Sequence, residues 1–216
     1  MKKLFAVAAA VVMVLGLATS SFAFFIDFEE GFGQNNQPII NIPGVSFIVT
    51  GGFNWIYGDT STGAWNSNSI DLNYGRGPYQ HYGNVFAFLG TNNNAGSGIV
   101  DFTNNDGTWF QTGYTSLSNF YLEGYDVNDV LIASNSGGGN LNGQIDMTFL
   151  RIDAPAGQFF DYVIVHDTGN YFLVDNFSGD STGLPGDDNV IPEPASMSLL
   201  GAGLLGLMGA RRRQKA

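Results

Sequence analysis

Residues 119–133 read Asn-Phe-Tyr-Leu-Glu-Gly-Tyr-Asp-Val-Asn-Asp-Val-Leu-Ile-Ala. Phe120, Leu122 and Gly124 alternate with Tyr121, Glu123 and Tyr125, which is the two-residue period of a strand with one face in a core. Asp126-Val127-Asn128-Asp129 follows as a turn, because Asp and Asn side chains bond nearby backbone and tolerate left-handed geometry. Val130–Ala133 then returns as a second strand, and the whole stretch is a β-hairpin.

The same texture extends in both directions. The middle of the chain is rich in Gly, Asn, Ser and aromatics and poor in Ala, Leu, Lys and Glu, a composition that disfavours helices and suits short strands. Strands are expected at Phe25–Phe28, Val45–Val49, Phe53–Tyr57, Ile70–Leu72, Val85–Leu89, Gly98–Phe102, Asn119–Tyr125, Val130–Ser134, Ile145–Ile152, Phe159–His166 and Phe172–Phe177. Phe160–His166 is bulky at nearly every position, as in a central strand covered on both faces. Many short strands at close spacing predict an all-β fold, a β-sandwich and specifically a jelly roll. Gly137-Gly138-Gly139 and Asn92-Asn93-Asn94 read as loop tips.

Both ends look like processing signals. Met1-Lys2-Lys3 precedes an apolar run from Leu4 to Ala18, and Ser21-Phe22-Ala23 supplies the small residues of a cleavage site. Residues 1–23 are therefore expected to be a signal peptide, handled by the Sec translocon and signal peptidase. The expected divisions beyond it are an ectodomain at 24–178, a flexible Gly/Asp-rich linker at 179–190, and a sorting segment at 191–216.

Charge sharpens the picture. The chain of 216 residues carries a formal net charge of −11. Between residues 24 and 190 only Arg76 and Arg151 oppose eighteen acids, leaving about −16 there. Such a domain repels phosphates, so nucleic acid is excluded as an expected partner. No cysteine is present, which removes disulfides, thiolate zinc sites and cysteine nucleophiles together.

The C-terminus has three elements in order. Pro192-Glu193-Pro194 is followed by an uncharged run of 16 residues, Ala195–Ala210, and then by Arg211-Arg212-Arg213 and Lys215. As a helix the run measures about 24 Å, short of a comfortable membrane span, and the arginines form a cytoplasmic stop. This order resembles the PEP-CTERM sorting signal of Gram-negative bacteria. The resemblance implies recognition by exosortase, with Pro192, Glu193, Pro194 and Arg211–Arg213 as recognition residues. It also implies a transient inner-membrane anchor, then delivery to the cell surface or matrix.

The ectodomain resembles those of PEP-CTERM proteins, which are similar to the jelly rolls of carbohydrate-binding modules. The resemblance rests on Phe25-Ile26-Asp27-Phe28-Glu29, Phe172-Leu173-Val174-Asp175-Asn176-Phe177 and the hairpin. It implies a structural calcium near the terminal strands, with Glu29 and Asp175 as ligands, since hard cations take carboxylate oxygens. Aromatic density between residues 53 and 83 suggests a glycan platform, with Trp65 and Tyr79 on Gly-rich turns as its exposed rings and Trp55 and Tyr57 as core.

A catalytic set is harder to find. His81 and His166 are the only histidines, so a three-histidine metal site is impossible. His166 and Asp167 are strand neighbours that point to opposite faces, and no Gly-x-Ser-x-Gly elbow is present. The expected function is a non-enzymatic structural or glycan-interacting component of exopolysaccharide or biofilm, with a glycoside-directed hydrolase as the alternative. Mass spectrometry of the exported protein is expected to find its N-terminus at Phe24.

Overall fold

The computed structural model describes residues 22–40, 42, 45–49, 54–72, 77, 79–89, 97–102, 106–141, 147–169 and 172–181. Residues 1–21 of the expected signal peptide and the tail, including the apolar run at 195–210, lie outside the described residues.

The strands are β1 (Phe22–Ile26), β2 (Val45–Val49), β3 (Ile56–Asp59), β4 (Ser67–Ser69), β5 (Tyr79–His81), β6 (Val85–Leu89), β7 (Gly98–Phe102), β8 (Trp109–Ser116), β9 (Phe120–Tyr125), β10 (Leu131–Gly137), β11 (Thr148–Asp153), β12 (Tyr162–Asp167) and β13 (Phe172–Ser181). One antiparallel sheet runs β11-β8-β13-β6-β3, with β1 also paired to β13. The other runs β10-β9-β12-β7-β2. The fold is the expected jelly-roll β-sandwich.

Between the sheets lies an aromatic core. Phe28, Phe102, Phe110, Phe120, Phe160, Phe172 and Phe177 are fully buried there, and Trp55 and Tyr57 join them as expected. Each such ring contributes roughly 1.5–3 kcal/mol by leaving water. Two glycines are required by this packing. A Cβ on Gly98 would meet the Trp55 ring at 2.0 Å, and one on Gly124 would meet the Phe160 ring at 2.2 Å.

The six-stranded sheet is covered a second time. The short parallel pair β4–β5 and its loops close over its outer side. There Tyr79, Phe86, Met147 and Leu173 form a separate buried cluster, with Trp65, Ile70, Tyr82, Phe88 and Leu141 packed against it. The outer face of the five-stranded sheet has no such cover among the described residues.

Several expectations change. The hairpin stands as β9 and β10, with Asp126 Oδ1 accepting the Asn128 and Val130 amides and Asp129 at φ 59°. Ile70–Leu72 is a turn following β4 rather than a strand, because Ser69 Oγ accepts the Leu72 amide and bonds Asp71. Trp109–Ser116 and Tyr79–His81 are strands that sequence pattern did not reveal. β12 is central but covered on one face only, its residues alternating between buried and half-buried. β13 continues to Ser181, past the expected domain end at Ser178. The reason is Asp180, a buried carboxylate that accepts the amides of Thr108 and Trp109 at 2.6 and 3.0 Å and the Thr108 hydroxyl.

His81 is fully buried, its ring 5.0 Å from that of Phe86. Nδ1 lies 2.9 Å from the Tyr82 carbonyl oxygen, so the proton sits on Nδ1. Nε2 has no hydrogen-bond partner among the described residues. Burial lowers the imidazole to about 4, against small opposing effects of the Tyr82 carbonyl and Asp71. The unfolded chain takes up this proton near pH 6.5 and the folded chain does not. Stability present in full above about pH 6.5 is thus lost as pH falls toward about 4, by roughly 3 kcal/mol. Asp175 pulls the other way, since burial raises its carboxyl, so the comparison must be made against a variant at each pH. Denaturant titrations of wild type and His81→Asn are expected to diverge by that amount between pH 7 and 4; parallel curves would refute a neutral buried imidazole.

Candidate functional site

The uncovered face of the five-stranded sheet is built by alternation. On β9, Tyr121, Glu123 and Tyr125 face outward while Phe120, Leu122 and Gly124 fill the core. On β12, Tyr162, Ile164 and His166 do the same opposite Val163, Val165 and Asp167. The antiparallel register then sets Tyr125 beside Tyr162, Glu123 beside Ile164, and Tyr121 beside His166. β7 and β2 extend two of these rows, as Tyr162–Asp101–Ser46 and Ile164–Ile99–Ile48.

The rings pair face to face across the strands. Tyr125 and Tyr162 stack with centroids 5.1 Å apart and planes 11° from parallel. Tyr121 and His166 stack at 5.0 Å and 10°. Cross-strand aromatic pairs of this kind fix side-chain direction as well as adding stability. Carboxylates hold the phenol tips: Tyr125 donates to Glu123 and Tyr162 to Asp129, each at 3.0 Å. Burial first, and Asp129 second, push the Tyr162 phenol up to about 12. His166 Nε2 stands 3.8 Å from Glu123 Oε2. At the Tyr162 end, the Asp161 carboxyl is raised by burial and then by its neighbours Asp101, Asp129 and Asp126.

The sequence-based platform lies elsewhere and is corrected in part. Tyr79 is buried, because β5 lays it on Phe86, Met147 and Leu173 rather than in solvent. Trp65 is half-buried, its ring 5.3 Å from Phe86 and 5.0 Å from Phe88, with Nε1 donating to Asn35 Oδ1. The face with Tyr121, Tyr125 and Tyr162 was visible only as alternation within each strand; its pairing needed the register.

His166 and Asp167 point to opposite faces of β12, as expected of strand neighbours. Asp167 points inward and accepts the hydroxyls of Ser116 and Ser118 at 3.1 and 3.0 Å. His166 points outward onto Tyr121, so Ser116, His166 and Asp167 do not assemble as a relay.

Glu29 and Asp175 do come to one place. One edge of β13 pairs with β6 at Phe172–Val174 and with β1 at Phe177–Ser181. Asp175 and Asn176 sit at this fork, Asn176 at φ 53°. Asp175 is fully buried and accepts the amides of Tyr82 at 2.8 Å and Asn176 at 2.7 Å. Glu29 accepts the Asn84 and Val85 amides at 2.6 and 2.8 Å and the Asn84 side chain at 3.1 Å. A cavity of about 330 Å³ opens beside them, lined by Phe25, Asp27, Glu29, Asp71, Leu72 and Tyr82. Among the described residues no three His, Cys, Asp or Glu side chains converge as a metal site requires. Each of the two expected calcium ligands already accepts backbone amides.

Comparison with known proteins adds to the C-terminal end of the chain more than to its middle. Residues 190–213 match the PEP-CTERM protein-sorting motif. The tail is a PEP-CTERM sorting signal. It marks an exported protein, handed to exosortase and sorted to the cell envelope or surface. No curated protein matches the chain. Among solved structures, the chain is similar to a cleaved K2 adhesin domain of Lys-gingipain, at 14% identity and TM-score 0.45, covering 73% of this chain and 98% of that one. It is also similar to a mutant family 29 carbohydrate-binding module, at 11% and 0.40, covering 74% and 93%. A family 29 module from Piromyces equi follows at 10% and 0.35, covering 67% and 94%.

Glu29→Ala is expected to cost about 1–3 kcal/mol in denaturant titrations, because it strands the Asn84 and Val85 amides. Replacing chelator by millimolar calcium is expected to leave the melting temperature unchanged.

Proposed function

We propose that the domain is a non-catalytic glycan-binding module, carried by its sorting tail to an extracellular polysaccharide matrix. The observation that supports this is the one uncovered sheet face and its upright pairs, Tyr125–Tyr162 and Tyr121–His166. Sugar rings stack on aromatic faces through their C–H surfaces, while carboxylates accept from their hydroxyls. Each stacked ring leaves its second face to other contacts. Glu123 and Asp129 accept from the phenols of those rings, and Asp101 is the cross-strand neighbour of Tyr162.

A flat face suits an extended polymer better than a small substrate, which a cleft would enclose.

Glycan-array binding by wild type is expected without release of reducing sugar. The double variant Tyr125→Ala/Tyr162→Ala is expected to lose at least ~10-fold in affinity, or ~1.4 kcal/mol, while a cooperative melting curve confirms that it folds. Trp65→Ala should behave oppositely, lowering stability while binding persists. Retention of full affinity by the tyrosine double variant would overturn the assignment of this face.

A further inference from the structure

We propose that the open face selects glycans bearing free amino groups, such as deacetylated hexosamine polymers, over neutral and acidic polysaccharides. This rests on the glycan reading above and adds the chemistry of the ligand to it.

The argument is charge complementarity at the stacked tyrosines. Both phenol tips of the Tyr125–Tyr162 pair end on carboxylates, Glu123 and Asp129. Asp101 is the cross-strand neighbour of Tyr162 on its other side. Asp126 and Asp161 stand at the same end, close enough that Asp161 feels Asp101, Asp129 and Asp126 together. Against these five acids, the face carries one basic side chain among the described residues, His166, which lies beside Glu123. The other described bases lie elsewhere. His81 is buried under β4–β5, and Arg151 is paired with Asp153 and stacked on Trp109.

A ligand laid on these rings therefore meets crowded negative charge. A polyuronate is repelled, and a neutral glycan leaves the crowding as it was. An ammonium group held against a ring edge by Glu123, Asp101 or Asp129 relieves it, through charge-assisted hydrogen bonds that are stronger than neutral ones. A carboxylate already accepting from a phenol keeps lone pairs for a second donor. The aromatic rings add attraction for a cation over their faces.

The test compares polymers of one backbone. Full-length protein is titrated, in chelator, with chitosan and chitin oligosaccharides of equal length, with cello-oligosaccharides and with oligoalginate. The proposal expects chitosan to bind at least tenfold tighter than chitin, and that margin to shrink as salt is raised, since exposed charges are screened. Asp101→Asn and the triple variant Asp101→Asn/Glu123→Gln/Asp129→Asn should lose the chitosan preference, the chitosan and chitin affinities converging. Melting curves check that each variant folds, and Asp101→Asn alone keeps the test open if the triple variant does not. Equal binding of chitosan, chitin and cello-oligosaccharides overturns the amine preference and leaves the glycan face standing. Preference for alginate overturns it as well. Binding to none of the four overturns both.

Discussion

The ring of Phe177 touches those of Phe28, Phe47, Trp55 and Phe110, at centroid distances from 5.0 to 6.2 Å, so one side chain of β13 ties together the turn after β1, strands β2 and β8, and the segment before β3. In a cysteine-free exported domain this contact does what a disulfide does elsewhere. It joins the two sheets across the core, and it depends on β13 lying at the middle of the larger one. Phe28 holds a left-handed backbone, φ 63°, that a bulky side chain seldom adopts; its edge-on contact with Phe177 at 5.1 Å compensates that strain.

The divergence of the two outer faces follows from this core. The larger sheet must carry β4–β5 on its back, because Phe86, Phe88 and Leu173 point away from the main core and would otherwise meet water. The smaller sheet presents Tyr, Glu, Asp and His on its back and needs no cover. Among the described residues, the sandwich therefore has one apolar outer face, which is covered, and one more polar outer face, which is open.

How much of this was legible depended on whether local pattern or long-range pairing decides. Strands β2, β6 and β7 were found with their observed limits because their apolar residues and flanking Gly, Pro and Asn speak locally. β8 was missed because Gln111-Thr112-Gly113 and Thr115-Ser116 look like loop. Its buried Thr112, Thr115 and Ser116 are held only because β11 and β13 flank them. Trp65 and Tyr79 looked exposed beside their glycines, and only the folding of β4–β5 onto Phe86 and Phe88 shows otherwise. The tyrosine ladder sat in plain alternation, yet that Tyr125 stands against Tyr162 is a fact of register, which no single strand contains. The sorting tail needed neither, being read in order along the chain.

The position of β13 has one more consequence, for timing. It is the last described strand and it borders β8, β6 and β1 at once, so the larger sheet has no centre until residue 181 has been delivered. A chain threaded outward from its N-terminus must therefore wait, with its earlier strands unclosed, for the stretch just ahead of the sorting tail. Such distant pairings are the slow steps of folding. Here they place completion of the larger sheet after delivery of its last described strand.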